Sequence, residues 1–502
     1  MRDVKERWSQ GAAVRRLAYV IRAFLLLVGV GCNTTHAVTS ETRPSTLRIG
    51  IAKVELGQVV QNLTLEGLVK VTEDGKVTPG LARRWTIAPD GLSMVIELQS
   101  NVRFHDGSPV SGQIVTEILR RTLPQFMGVA YEDVLSIDPV SDQLIEFKLK
   151  HPSSFLLESL ETQIRKPGSV GTGTGPFVTG VVENQTQLHA NPDYFLGPSA
   201  IQNVVLQTYP SLRTAWVELL RDQIDMLYDV RLEALDSLRS ATTVDVFSYV
   251  RHYQYLVLLN SRSPALRSSA IRRALNASVD RAALIRDALN GHGLPSSGPV
   301  WPKHWATQSH FPTFVFDPES AAALAAAEKA RTPQSGVHGI RFKCLISPDD
   351  ELLALVLKRQ LEAVGIDMLV ESASPEGINS ALASGNFEAL LAPAISGPTM
   401  FRPYLRWHSR GSLNRGAFAS RAVDTALDSV RHSVSNAEYT AAVLAFQQAI
   451  LNDPPAIFLA WNERARAVSK RFGVRGVEPG TDIMGTLRMW RPNVEERQTR
   501  LN

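Results

Sequence analysis

Cysteine is nearly absent. The 502 residues contain two, Cys32 and Cys344, which excludes a disulfide-built scaffold, and if Cys32 carries a lipid no bridge can form within the chain. Long hydrophobic runs are missing as well. The apolar run near the start, Ala23 to Val30, is too short to span a bilayer, and nothing downstream reaches the length a membrane helix needs. Nor is there an excess of one charge. Fifty-three Lys and Arg stand against 49 Asp and Glu, a formal net charge of +4, and several of the positive charges precede Ala23; nucleic acid is therefore not expected as a partner. The signatures of hydrolytic and metal chemistry are lacking too. The 11 histidines are scattered without an HExxH pair, no cysteine pair is spaced for zinc, and no serine sits in a G-x-S-x-G elbow. Internal repeats are absent, and a few alanines are the nearest thing to low complexity.

What is present is the composition of an exported globular body, 44% hydrophobic and 20% charged, with a length that bounds about three domains. Met1 to Cys32 reads as a bacterial targeting segment: Arg2, Lys5, Arg7, Arg15, Arg16 and Arg22 precede the apolar run, and small residues precede the cysteine. Gly29-Val30-Gly31 before Cys32 resembles a lipobox, which would make Cys32 the acylated residue. An aliphatic residue is usual where Gly29 stands, so ordinary signal-peptidase cleavage and an uncleaved anchor stay open. The polar stretch His36 to Ser45 then reads as a linker, and Leu47 to Ala52 as a short buried strand.

The densest segment is Val77 to Ile114. Asp90-Gly91 between the strand-forming runs Thr86 to Ile87 and Met94 to Leu98 predicts a hairpin. Asp106-Gly107-Ser108-Pro109 closes a strand expected around Val102 to Phe104, and Ser111 caps a helix whose apolar residues are Ile114, Val115, Ile118 and Leu119. Further on, Leu144 to Leu149 alternates as a half-exposed strand that His151-Pro152 ends. Tyr253 to Asn260 reads as a buried strand, Ser269 to Leu289 as a helix pair, and Asp317-Pro318 as the cap and first residue of an alanine-rich helix. Ile340 to Ile346, Glu351 to Val364, Gly365 and Ile366 to Val370 make a β-α-β unit, with Cys344 a small buried hydrophobe inside it. Two more helices, Ala422 to Ser433 and Asn436 to Asn452, precede a buried strand Ala456 to Trp461. The run Gly171-Thr172-Gly173-Thr174-Gly175-Pro176 invites a phosphate-loop reading, but no GK[ST] follows and Pro176 removes an N–H such a cradle needs.

Several of these words, in order, resemble the extracellular solute-binding proteins of the peptide and nickel type, which deliver ligands to ABC transporters. They are PGLARRW, APDGLSMVIEL and VRFHDGSPVSGQIV, then GTGPF, NPDYFLGP and IRRALNASVDRAALI. The resemblance covers about residues 46 to 495. It implies an α/β class II periplasmic-binding-protein fold, two α/β lobes joined by a hinge with an additional β-rich domain. The expected division is a leader at 1–32, a linker at 33–45, a discontinuous lobe I at 46–67, 176–262 and 478–502, the additional domain at 68–175, and lobe II at 263–477. Phe472 to Val477 is expected to lead back toward lobe I as a crossing strand. His105-Asp106 is then a turn rather than part of a triad, and no enzyme activity and no cofactor are expected.

The implied function is the substrate-binding component of an ABC importer, capturing an oligopeptide or related small solute between the lobes and handing it to a permease with ATPase subunits. The implied location is the periplasm or outer cell surface, and the implied state a monomer. An exported sensor, a peptide-holding chaperone, or a binder of metal chelates or organic acids are the alternatives. In peptide-binding members an acidic residue after W-x-x-D pairs with the ligand's amino terminus; the matching segment here, Phe387 to Pro398 with Ser396 inside it, has neither tryptophan nor aspartate. Arg402, Tyr404, Arg406 and Trp407 follow, a set suited to an anionic or aromatic ligand if they face the cleft and to packing and solvation if they do not. Glu55 and Trp301 are further candidates for the pocket, and His408 for a metal chelate.

Overall fold

The computed structural model describes residues 45–169, 171–182, 185–307, 311–331 and 340–493. The leader, Cys32 and all but the last residue of the expected linker lie outside the described residues. An eleven-stranded sheet organises the rest. Its first strand, Thr46–Ala52, buries Leu47, Ile49 and Ile51 completely. That strand runs parallel to Asn203–Tyr209 on one side and to the two-residue strand Met226–Leu227 on the other. Gln185–Ala190 and Phe177–Val182 continue antiparallel beyond Asn203–Tyr209; this half of the sheet is lobe I. At the other end Ile366–Ser372, Ile340–Ile346 and Ala389–Ile395 form the parallel β-α-β edge of lobe II.

Two long antiparallel strands carry the sheet from one lobe to the other. Val244–Leu259 has 16 residues and Ala456–Ser469 has 14; at about 3.3 Å per residue the first is about 50 Å long, enough to serve both lobes. Its last four residues, Leu256 to Leu259, are buried, whereas most of Val246 to Tyr253 is half-buried. Between Val250 and Gln254 the register against Ala456–Ser469 shifts. The return to lobe I is therefore made by Ala456–Ser469. Phe472 to Val477, expected to cross, supplies only the two-residue strand Phe472–Gly473 against Arg491–Pro492. The polar residues Asn462, Glu463, Arg464 and Arg466 hid the length of the true strand, because they are held inside a strand that stays largely buried, Arg464 by Asp229 and Arg466 by Asp482.

The additional β-rich layer is a four-stranded antiparallel sheet of Ala82–Ile87, Ser93–Leu98, Leu144–Leu149 and Val134–Pro139, backed by helix Gly112–Met127. Ser111 caps that helix, its hydroxyl accepting from Ile114 N at 3.4 Å, and Gly91 takes the left-handed φ of +70° the hairpin requires. No strand forms at Val102 to Phe104. A single bridge, Arg103 to Pro109, stands there, because Phe104 N donates back to Ser108 O at 2.8 Å and spends the segment in a tight turn. The core of this layer, including Ile96, Phe147 and Phe155, is continuous with Phe401, Tyr404, Tyr439 and Phe446 of lobe II.

Candidate functional site between the lobes

On the half-buried stretch of the first crossing strand, alternate residues share a face, so Tyr249, Arg251, Tyr253 and Tyr255 line one side of the sheet. Arg251 lies over the Tyr253 ring at 4.1 Å. From the second crossing strand Arg464, paired in register with Tyr249, reaches Asp229 at 3.1 Å just beyond Met226–Leu227. Glu55 comes from the 3-10 turn that ends the first strand of lobe I. Burial and the negative charge of Asp229 raise its carboxyl above the ordinary range, against the pull of Arg466 and Arg251, and its Oε2 is buried with no hydrogen-bond partner. The Nε of Arg464 is likewise buried and unpartnered. Lobe II contributes Asp350, just before helix Glu351–Glu362, whose carboxyl burial and Asp349 push up to about 6. At the rim Arg231 of lobe I and Asp349 of lobe II stand 3.9 Å apart.

On the same face Arg466 is held rather than free. It is sandwiched 3.7 Å from the Tyr228 ring and 5.2 Å from the Tyr249 ring, and it donates to both oxygens of Asp482 at 2.8 and 2.6 Å. It supports the tyrosines and the loop after Met226–Leu227.

The opposite face of the crossing strands carries a second group. His252 bonds Glu73 at 3.0 Å, Lys303 reaches the same carboxylate at 3.2 Å, and Trp301 donates its indole N–H to Glu73 O at 2.7 Å. Trp301 is buried edge-on against His252 and Trp461. Beside them Arg402 pairs with Glu161 at 3.5 Å. Arg406 has no carboxylate partner among the described residues: it reaches Ile395 O at 3.4 Å and leaves Nε buried and unpartnered. Burial, and then the charge of Arg402, lower its guanidinium to about 10.

The expected site residues therefore separate. Glu55 lies in the interlobe group, and Arg402, Arg406, Trp301 and Ser396 lie on the other face, Ser396 N donating to His252 O at 2.9 Å. Tyr404 and Trp407, 0% and 1% exposed, are core residues instead of pocket walls, because the helix Phe401–Trp407 turns them inward between Phe155 and Phe458. His408 is also spoken for: it stacks on Tyr404, faces Asp428 at 3.5 Å, and its Nδ1 accepts from Arg410 N at 3.1 Å. Asp229, Arg251, Asp350 and Arg464 were not picked out from the sequence. The period-two alternation Tyr249, Arg251, Tyr253, Tyr255 inside an otherwise apolar strand is the signal that points to that face.

The glycine-rich run is packed against a helix end. A Cβ on Gly173 would lie 2.2 Å from Thr64 O, and one on Gly175 would lie 2.7 Å from Leu63 O. These glycines let the run press against the end of helix Leu56–Thr64, with Gly175 N donating to Thr64 O at 3.0 Å.

Two α/β lobes joined by two crossing strands, with oppositely charged, partly unpartnered groups where they meet, define a protein that encloses a small solute. The chain belongs to the bacterial extracellular solute-binding proteins, family 5, whose model matches residues 76–414; it is a substrate-binding protein of the kind that serves ABC importers. It is 23% identical over 333 residues to a probable di/tripeptide-binding protein of Pseudomonas aeruginosa, a match covering 58% of this chain and 63% of that relative. To a probable D,D-dipeptide-binding periplasmic protein, DdpA of Escherichia coli, it is 23% identical over 439 residues, covering 80% and 84%. Its fold matches that of NikZ from Campylobacter jejuni, solved in complex with Ni(L-His), with a TM-score of 0.77 at 20% identity, over 89% of this chain and 100% of that one.

Proposed function

We propose that the protein captures a small zwitterionic solute of the short-peptide kind between its lobes and delivers it to a membrane permease with ATPase subunits. The observation that carries this reading is the pair of buried, unpartnered polar atoms of opposite character, Glu55 Oε2 and Arg464 Nε. A buried group left unpaired costs about 1 to 3 kcal/mol, which a ligand bearing one ammonium and one carboxylate would recover at both ends. The tyrosines on the same face supply hydroxyls and ring faces for the ligand's middle. The division is read as lobe I at 46–67, 176–262 and 478–502, an additional domain at 68–175 and lobe II at 263–477; the pairing of Ala467 and Val468 with Met226–Leu227 favours moving the last boundary back into the second crossing strand. Lipid attachment at Cys32, a periplasmic or outer-surface location and a monomeric state complete the reading.

The test is thermal unfolding of the protein against di- and tripeptides, D,D-dipeptides, nickel–histidine complexes and organic acids. A ligand at 100 times its Kd adds about 2.7 kcal/mol of stability. Short peptides should raise the midpoint, and Glu55→Gln should abolish that rise while leaving the unliganded stability within about 1 kcal/mol. Stabilisation by organic acids or chelates alone would overturn the zwitterion reading. A second reading has its own observation: Arg406, a half-buried cation with no carboxylate partner among the described residues, suits a simple anion. That reading predicts organic-acid binding lost in Arg406→Met and kept in Glu55→Gln. A chaperone or sensor on this fold would bind peptides equally but would not support their uptake by cells carrying the cognate permease.

A further inference from the structure

Away from the cleft, three metal-ligating side chains meet at the seam between the additional β-rich layer and lobe II. His151 follows the strand Leu144–Leu149, Asp133 immediately precedes the strand Val134–Pro139, and His432 ends the helix Arg421–Arg431. Asp133 is 1% exposed. Its Oδ1 lies 3.4 Å from His151 Nδ1 and 3.3 Å from His432 Nε2, and one ligand atom from each of the three residues lies within 4.8 Å of the others. In tetrahedral coordination with bonds of about 2.0 to 2.1 Å, neighbouring ligand atoms stand about 3.4 Å apart, so two of the three edges already have the required length.

We propose that Asp133, His151 and His432 bind one first-row divalent cation of the zinc type and thereby tie the β-rich layer to lobe II. The second carboxylate oxygen supports this: Arg431 Nε donates to Asp133 Oδ2 at 2.5 Å, which fixes the carboxylate plane and leaves Oδ1 to the histidines. The backbone is held as well, Lys150 N donating to Asp133 O at 2.7 Å, so His151 and Asp133 keep their relation without a ligand. Access is open, because the His151 and His432 side chains are 65% and 38% exposed. Two imidazoles, one carboxylate and a fourth position for water form the donor set of a three-protein-ligand zinc site. Arg431 sets the ceiling on affinity. Its charge cancels that of Asp133, so binding is expected to be weaker than in sites that keep a net negative charge, with Asp428 nearby as a partial offset.

The same two segments continue into the walls of a cavity of about 400 Å³, lined by Pro152, Ser153, Leu157, Ser433, Val434 and Tyr439 among others. Ser154 Oγ donates to Val430 O at 2.8 Å across the seam. A cation at the three-residue site would therefore brace the mouth of that cavity as well as the layer contact.

The experiment is titration of the purified protein with Zn²⁺ against a chromophoric chelator, with Co²⁺ as a spectroscopic probe. One equivalent should bind, the cobalt form should show the visible absorption of a four-coordinate ion, and Zn²⁺ should raise the unfolding midpoint. His151→Ala and His432→Ala should each weaken binding about tenfold or more. The double variant should lose the site and the cobalt band, while His189→Ala, an exposed histidine bonded to Asn203 on lobe I, should change nothing. Both ligands to be replaced are at the surface, so the variants are expected to fold, which circular dichroism checks. An equivalent of Zn²⁺ that binds the double variant as tightly as the parent, or no binding and no cobalt band in the parent, overturns the proposal.

Discussion

Single buried residues decide how this protein answers pH. Glu158 is 6% exposed, and burial raises its carboxyl to about 7 from 4.5, although Thr399, Tyr439 and the backbone N–H of Phe401 all hydrogen-bond it. A carboxyl raised in the fold keeps its proton after the unfolded chain has lost its own. The stability it contributes is present below pH 4.5 and is lost as pH rises from 4.5 to 7, by about 3 kcal/mol. Asp350, at about 6, adds to the loss in the same direction. Glu158→Gln should flatten most of that slope in urea midpoints taken between pH 4.5 and 7.5, and an unchanged slope would show that Glu158 does not hold the proton. Asp225 holds a joint between three segments. It accepts from Arg48 N at 2.9 Å and Arg48 Nε at 2.8 Å and also pairs with Arg471, joining the loop before Met226–Leu227 to the first strand and to the end of the second crossing strand. Asp225→Ala strands a backbone N–H and two arginines that can partly turn to water, so urea denaturation should show a loss of about 2 to 4 kcal/mol.

Elements were legible where local chemistry alone sets them. The Ser111 cap, the Asp90-Gly91 turn, the β-α-β unit around Cys344 and the helix that Asp317 caps, accepting from Ser320 N at 2.9 Å, all form where the residues predict them. What the residues could not announce was length and facing. Ala456–Ser469 is buried almost throughout, but its second half carries Asn462, Glu463, Arg464 and Arg466, so only the apolar run Ala456 to Trp461 reads as a strand. The helix carrying Arg402 and Arg406 has the opposite problem: its polar and aromatic residues read as one binding set, and only packing shows Tyr404 and Trp407 turned to the core. The charged face at Arg251 and Arg464 was out of reach for the same reason, since it is assembled from residues about 200 positions apart. The glycine run gives this scale its own test. Gly173→Ala places a methyl 2.2 Å from Thr64 O, and the backbone has to yield. A loss of about 1 to 3 kcal/mol in chemical denaturation is expected, with ligand-induced stabilisation retained because the run lies outside the cleft residues.

At the scale of the molecule, function depends on whether the two halves of one sheet can change their relation about the crossing strands. The register shift between Val250 and Gln254 interrupts pairing with the second crossing strand at Arg251, His252 and Tyr253, among the residues that would meet the solute, although Tyr253 stays paired with Ile395 on the other side. Bending there breaks fewer hydrogen bonds between the two crossing strands than bending elsewhere along them. Closure about such a point shortens the molecule, so small-angle X-ray scattering should show a smaller radius of gyration once a stabilising solute is added, and an unchanged value would place binding outside an interlobe hinge. Closure also brings rim charges together, as Arg231 and Asp349 stand at 3.9 Å, with side chains 45% and 76% exposed. An exposed pair of this kind contributes about 0.2 to 1 kcal/mol, so Asp349→Ala should raise the Kd by no more than about fivefold. A double-mutant cycle with Arg231→Ala, read by calorimetry at low salt, should return a coupling of that size that fades at 1 M salt, where the screening length falls to about 3 Å. A coupling that survives high salt would mean that the two residues act through the packing of their helices rather than through charge across the cleft.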